Sequence, residues 1–275
     1  MPDIVIHVVA SALYAALALH LWNTRWRVRP AAPQSALSAL HAWERAAILL
    51  PLLLHGWLLY DEIFAAPQMR FGFAQALSIM LWLAVAICWL EGLAYRIEAL
   101  LPMVLAFAAL CAPLPGFFAG RLTPDAYSLQ FKLHLFAGML AYSLFTVATF
   151  HALLISIVER QLHVNPTVVD RGVPPLLSLE ALVFKLTGAA FAVLTLTFAV
   201  GIAYSESIFG RALRFDHKTV FVVLSWLIFG LLLAGRLLYG WRGRTALRWT
   251  LAGFLMLMLA YPGSRFVLEV ILGRS

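Results

Sequence analysis

Long apolar stretches separated by short polar connections recur along the chain, at residues 4 to 22, 40 to 60, 72 to 94, 99 to 119, 131 to 157, 182 to 205, 219 to 239 and 246 to 270. Each has about the 20 residues that an α-helix needs to cross a hydrocarbon core about 30 Å thick. The pattern predicts an all-α, polytopic transmembrane bundle of about eight spans. The second run opens on His41, Glu44 and Arg45 and contains Pro51, and the last is interrupted by Pro262 and Gly263. Proline inside a span is tolerated where neighbouring helices re-satisfy the backbone groups it frees. No soluble domain, low-complexity tract or coiled coil separates the runs, so residues 1–275 are expected to form one integral-membrane domain.

Composition strengthens this picture. The 275 residues are 63% hydrophobic and only 12% charged, and the mean hydropathy is +0.89; soluble domains carry roughly a quarter charged residues. The net charge of +7 does not point to nucleic acid, because the basic residues lie in short loops and form no stripe. Membrane lipid is the expected surrounding.

Only Asp3 precedes the first run, while Arg25, Arg27 and Arg29 follow it. A secretory signal has the reverse charge order, so this run is read as the first span. Lysine and arginine in short loops bias their ends toward the cytoplasm. With eight spans and an outer N-terminus, twelve basic residues fall on the cytoplasmic side, Arg25, Arg27, Arg29, Arg242 and Arg244 among them, and eight on the other. Both termini are therefore expected outside the cytoplasm, in a multi-pass protein of the inner (cytoplasmic) membrane.

Familiar catalytic signatures are absent: the chain has no G-x-x-x-x-G-K-[ST], no H-E-x-x-H and no G-x-S-x-G. Cys88 and Cys111 sit singly inside apolar runs, which suits packing better than a thiol relay. Gly116-x-x-x-Gly120 has the spacing of a close helix contact.

Histidine placement carries more information. His55 lies near the outer end of the second run, His134 opens the fifth and His217 opens the seventh, so three imidazoles share one membrane face. Spans five and seven run in the same direction, and each begins with a basic residue beside its histidine, Lys132 and Lys218. Two imidazoles at similar depth on parallel helices suit the opposite axial positions of one haem iron. Lys132, Lys218, Arg211 and Arg214 are candidate partners for propionates, Phe131, Phe136, Phe215 and Phe221 are candidate ring cover, and Asp216 is a candidate outer-shell carboxylate for an imidazole.

Several segments resemble the cytochrome c assembly (CcsA/CcmC-type) membrane proteins. They are Leu133-His134-Leu135 with Leu140-Ala141-Tyr142-Ser143, Pro174-Pro175-Leu176-Leu177-Ser178-Leu179-Glu180, and Phe215-Asp216-His217-Lys218-Thr219 with Ser225-Trp226-Leu227. Gly240-Trp241-Arg242-Gly243-Arg244 and Ala260-Tyr261-Pro262-Gly263-Ser264-Arg265 narrow the resemblance to the short YpjD/HemX-like branch. It covers nearly the whole chain and is densest from residue 130 to 266.

The resemblance implies haem handling. Members of the wider superfamily move haem across the membrane or present it at the outer face to apocytochrome c, and two outward histidines flanking a tryptophan-rich segment ligate the iron. His134 and His217 resemble that pair, and His55 resembles a further intramembrane histidine. This chain departs from the pattern: Ser205-Glu206-Ser207-Ile208-Phe209-Gly210-Arg211 contains no tryptophan. A non-covalent b-type haem carrier is therefore expected rather than a synthase or other enzyme, working with an apocytochrome or another assembly component. Two alternatives remain open at this point. A small-solute or ion transporter would use the charges Glu44, Arg45, Glu91 and Lys185, and a membrane accessory or scaffold of the same fold would bind no haem.

Overall fold

The computed structural model describes residues 2–26, 40–65, 69–95, 99–122, 129–164, 176–204 and 216–273. Its helices are α1 (Pro2–Leu21), α2 (Ala42–Tyr60), α3 (Phe73–Ala94), α4 (Leu101–Cys111), α5 (Leu114–Phe117), α6 (Leu129–Val164), α7 (Leu176–Ala203), α8 (His217–Tyr239), α9 (Gly243–Met258) and the one-turn α10 (Ser264–Phe266). Wide helical turns at Leu259–Gly263 and Val267–Ile271 carry α9 and α10 on as one continuous apolar run to Ile271. Pro262 is absorbed in the first of these turns and does not end the run. A two-residue antiparallel pair, Arg70–Phe71 with Leu122–Arg121, closes one end.

Seven of these helical runs are long and apolar enough to span a membrane, and an eighth apolar run, Leu101–Phe117, is shorter. The chain is a multi-pass, all-α membrane protein. The fourth predicted span, residues 99 to 119, is thus a broken helix: Pro113 and Pro115 interrupt its backbone ladder and α4 stops at Cys111.

Polar residues of α1 repair that break. Pro113 has no N–H to give the carbonyl four residues back, which belongs to Ala109. The Ser11 hydroxyl donates to it instead, at 2.6 Å. His7 Nδ1 donates to the Ala112 carbonyl at 2.8 Å. The small residue Gly116 lets α5 approach α1, since a Cβ there would stand 2.9 Å from Ile4 Cγ1. Gly120 lies beyond the helix with φ +68, so the two glycines do not form one helical contact face.

α1, α2, α3 and α4 pack around one another, α6 packs on α7 and α9, and α8 packs on α7 and α9; α3 against α6 joins the two groups. Tryptophan indoles tie helices at their carbonyls and hydroxyls: Trp82 Nε1 donates to Leu52 O, Trp89 Nε1 to Arg45 O, and Trp226 Nε1 to Thr195 Oγ1. In lipid, such packing and polar ties replace the hydrophobic drive that assembles soluble proteins.

One fully buried amide organises the end that carries the strand pair. Gln75 Nε2 donates to Glu62 Oε1 at 2.9 Å and to Phe118 O at 3.0 Å, while its Oε1 accepts from Gly72 N at 3.0 Å. At the same start of α3, Glu269 Oε2 reaches Phe73 N at 3.4 Å, and Glu269 lies where a Gly72 side chain would be. A carboxylate there is favoured by the positive end of the helix dipole. Gln75→Leu keeps the volume and strands three partners. Leaving buried donors and acceptors unmade costs roughly 1–3 kcal/mol, so the variant is expected to melt earlier than wild type in detergent by circular dichroism. An unchanged melting curve would show that the amide contributes nothing.

Candidate functional site

Contacts between helix ends identify one polar end of the bundle. His7 with Ala112, Gln75 with Phe118, Glu269 with Phe73 and His134 with Gly201 all lie there. It comprises the starts of α1, α3, α6 and α8, the ends of α2, α5 and α7, and the run through Ile271. His134, Lys132, His217 and Lys218 belong to this end, as the spacing predicts.

His134 sits one turn into α6 and is half-buried. Its ring lies against α7 where residue 201 has no side chain: a Cβ on Gly201 would stand 3.0 Å from His134 Cε1. The glycine is what makes room for the imidazole between the two helices. His217 is the first residue of α8 and is exposed. Since α7 packs against both α6 and α8, the two histidines occupy the helices flanking the end of α7.

Asp216 has a different role from the outer-shell one expected of it. It caps α8, its Oδ1 accepting from Thr219 N at 3.0 Å and from Thr219 Oγ1 at 3.3 Å. Burial raises its carboxyl, but the Thr219 hydrogen bonds with the charges of Lys218 and His217 outweigh this and hold it below the usual carboxylate range. Losing such a cap costs about 1 kcal/mol, so Asp216→Ala is expected to lower the melting temperature and Asp216→Asn to retain most of it. Because the folded carboxyl titrates below its unfolded value, this contribution is present above the unfolded pKa and fades as pH falls through the folded one. The difference between wild type and Asp216→Ala should therefore shrink in acid. A constant difference across pH would remove the ionised cap from the explanation.

Lys218 Nζ stands 5.8 Å from the centre of the Tyr261 ring, and the Arg265 guanidinium 5.6 Å from the same ring. Phe71 packs on Tyr261 from another side, at 5.6 Å. This cationic and aromatic group joins α8 to the terminal run, a contact that spacing could not reveal. Phe131 is buried, Phe136 exposed and Phe221 half-buried. Arg211, Arg214, Phe215 and the tryptophan-free segment from Ser205 to Arg211 lie outside the described residues.

His55 is placed differently. It is fully buried among α1, α2 and α3, its Nε2 is 2.7 Å from Ser78 Oγ, and Tyr14 packs edge-on at 5.8 Å between ring centres. It shares the end of the bundle with the other two histidines but not their access to its surface.

At the opposite end, Glu44 accepts from the His41 backbone at 2.7 Å and meets His20 Nε2 at 3.0 Å. Glu91 faces His151 across α3 and α6. Lys185 is exposed on α7. Of the four charges that a transport pathway would use, Glu44 is thus occupied in starting α2. Cys88 and Cys111 are free thiols.

Comparison with known proteins agrees with the segments read from the sequence. The model of the cytochrome C assembly protein family matches residues 43–272. A 28.8 kDa protein of Azospirillum brasilense is 37% identical over 212 residues, covering 72% of this chain and 76% of that protein. The Escherichia coli inner membrane protein YpjD is 30% identical over 178 residues, 62% of this chain and 65% of its own length. The cytochrome c biogenesis protein CcsA of Chlamydomonas reinhardtii is 25% identical over 164 residues, which are 60% of this chain but only 46% of CcsA. No solved structure matches. With its family model spanning all the helices but α1, the chain belongs to the cytochrome c assembly protein family.

Proposed function

We propose that this protein holds haem at the outer face of the inner membrane, with His134 and His217 as the residues that would hold its iron, and passes it on during cytochrome c assembly. Family membership supports a role in cytochrome c biogenesis. The likeness to YpjD supports the inner membrane as its location. The observation that carries the haem reading is the space left at Gly201 for the His134 imidazole, at the end of the bundle where His217 is exposed.

When bound, haem would supply an iron that imidazole nitrogens can hold. The chain's own residues do the rest. Gly201 lets His134 lie between α6 and α7, and the Asp216 cap fixes the start of α8 and hence the position of His217. Lys132, Lys218, Arg211 and Arg214 would neutralise its propionates, and Tyr261 keeps the Lys218 ammonium at this end of the bundle. His55 stands third, because Ser78 and Tyr14 enclose it and ligation there requires α1, α2 and α3 to part. Release falls to a partner, an apocytochrome or another assembly component, that supplies a competing ligand. In this reading both termini face outward and no side chain makes or breaks a covalent bond.

The test is the oxidised and reduced visible spectrum of protein purified in detergent from cells supplied with haem. A low-spin haem spectrum at one haem per chain is expected. Protein that is folded and haem-free would overturn the reading and favour an accessory role for the same fold.

A further inference from the structure

We propose that Glu91 and His151 form a proton-binding site inside the bundle, at the end opposite His134, holding one proton between carboxylate and imidazole. Glu91 lies three residues before the end of α3, and His151 lies on α6, the helix that packs against it. Their side chains are 9% and 0% exposed, and His151 Nε2 is 3.8 Å from Glu91 Oε2.

The proton count follows from hydrogen-bond chemistry. His151 Nδ1 is 3.0 Å from the Val147 carbonyl, one turn back on α6. A carbonyl oxygen only accepts, so Nδ1 carries the hydrogen, and in a neutral ring Nε2 then offers only a lone pair. An ionised Glu91 also offers only lone pairs. Neither Glu91 oxygen nor His151 Nε2 has a hydrogen-bond partner. Two facing acceptors with a buried negative charge are unfavourable on both counts. Adding one proton resolves both once the pair closes from 3.8 Å to hydrogen-bond distance: a neutral carboxylic acid donates to Nε2, or an imidazolium donates to the carboxylate. Either way the pair carries no net charge with its proton and one negative charge without it.

The surroundings leave this balance to the pair. On α3 itself, Cys88 is one turn from Glu91. On α2, Arg45 is at the same level, since its carbonyl accepts from Trp89 Nε1, while Glu44 is held by His20 and His41. α4 and α5 contribute no titratable side chain except Cys111, at their far end near α1, and the wide turn packed on α3 contributes Tyr261, at the other end of the bundle. Glu159 and Arg160 lie two turns farther along α6. Glu180 and Lys185 come from α7, and Arg244 and Arg248 from α9, with Glu180 accepting from Gly243 N. Among the described residues, His151 is the basic side chain within ion-pair distance of Glu91.

Access is short. Glu91 is about 5 Å along the helix axis from the last residue of α3, at 1.5 Å per residue. A cleft between α6, α7 and α9, lined by Ala152, Ile155, Ser156, Glu159, Glu180 and Arg244 and separate from the pair, opens at the same end. The proton comes from water at that end and returns to it. His134 and His151 are about 25 Å apart along α6, so this site does not depend on the haem reading.

Infrared spectra of the detergent-purified protein, with and without Glu91→Gln, report a protonated buried carboxyl. Nitrogen-15 spectra of histidine-labelled protein, assigned with His151→Gln, report a proton on Nε2. At neutral pH the wild type is expected to show one of the two, a carboxylic-acid C=O stretch absent from Glu91→Gln or a protonated Nε2 absent from His151→Gln, and to lose it as pH rises. Proton uptake between alkaline and neutral pH should fall by one per chain in Glu91→Gln. An ionised Glu91 together with a bare Nε2 in wild type at neutral pH would overturn the proposal.

Discussion

Replacing either His134 or His217 by alanine is expected to abolish the low-spin haem spectrum, each change alone being as damaging as both together. A low-spin haem iron would need two strong-field ligands, so losing one nitrogen would give a high-spin or empty protein. A control is built into the fold: His20 lies at the opposite end beside Glu44, and His20→Ala should leave the spectrum intact. Gly201→Val tests the space that carries the reading. Its first added atom would stand 3.0 Å from His134 Cε1, so the ring must shift and haem occupancy should fall although both histidines remain. Lys132→Ala and Lys218→Ala should lower retention without changing the ligand signature, since they act on propionates and not on iron. A full low-spin spectrum in His134→Ala would place the ligand elsewhere, with His55 the first residue to examine.

Much of this molecule is legible because lipid imposes a coarse rule: a spanning helix must be apolar over its whole length. That rule located the long helices and both rim histidines from run boundaries alone. It placed the fourth run but not the break within it, because hydropathy is blind to the backbone ladder that proline interrupts. Pro113 strands the Ala109 carbonyl, and the Ser11 hydroxyl that answers it comes from 98 residues away. No local pattern announces such a partner. The same limit hid the fit of His134 to Gly201 and of Lys218 to Tyr261, each a contact between helices distant in sequence.

Asp216 failed to be read for the opposite reason. Asp-x-x-Thr immediately before an apolar run is a local helix-start signal, and its carboxylate caps α8 whatever the adjacent histidine does. The charge at Glu91 could be noticed, but its meaning depended on His151, which lies 60 residues later on another helix. Apolar pattern therefore reports which residues share an end of the bundle, whereas chemistry depends on which of them touch.

The largest stability loss is expected from Phe229→Ala. Phe229 on α8 and Phe145 on α6 stack with ring centres 3.8 Å apart and planes 18° apart, and both are wholly enclosed. Across from them α9 approaches at Gly253, where a Cβ would stand 2.9 Å from the Phe229 ring, and the Gly253 carbonyl accepts from Ser225 on α8. Three helices thus meet on one aromatic ring. Bilayer chains are as apolar as the ring, so what truncation forfeits is mainly contact: atoms around the void lose their partners. Phenylalanine truncation in close-packed cores costs about 3–5 kcal/mol, and adding bulk at Gly253 by Gly253→Val should cost roughly 1–3 kcal/mol from the other side. Leu231→Ala, two residues along on a side chain 53% exposed, is the matched control and should change little. Unfolding in mixed micelles measures all three. If Phe229→Ala proved no more harmful than Leu231→Ala, the junction of α6, α8 and α9 would not be the packing centre of this half of the bundle.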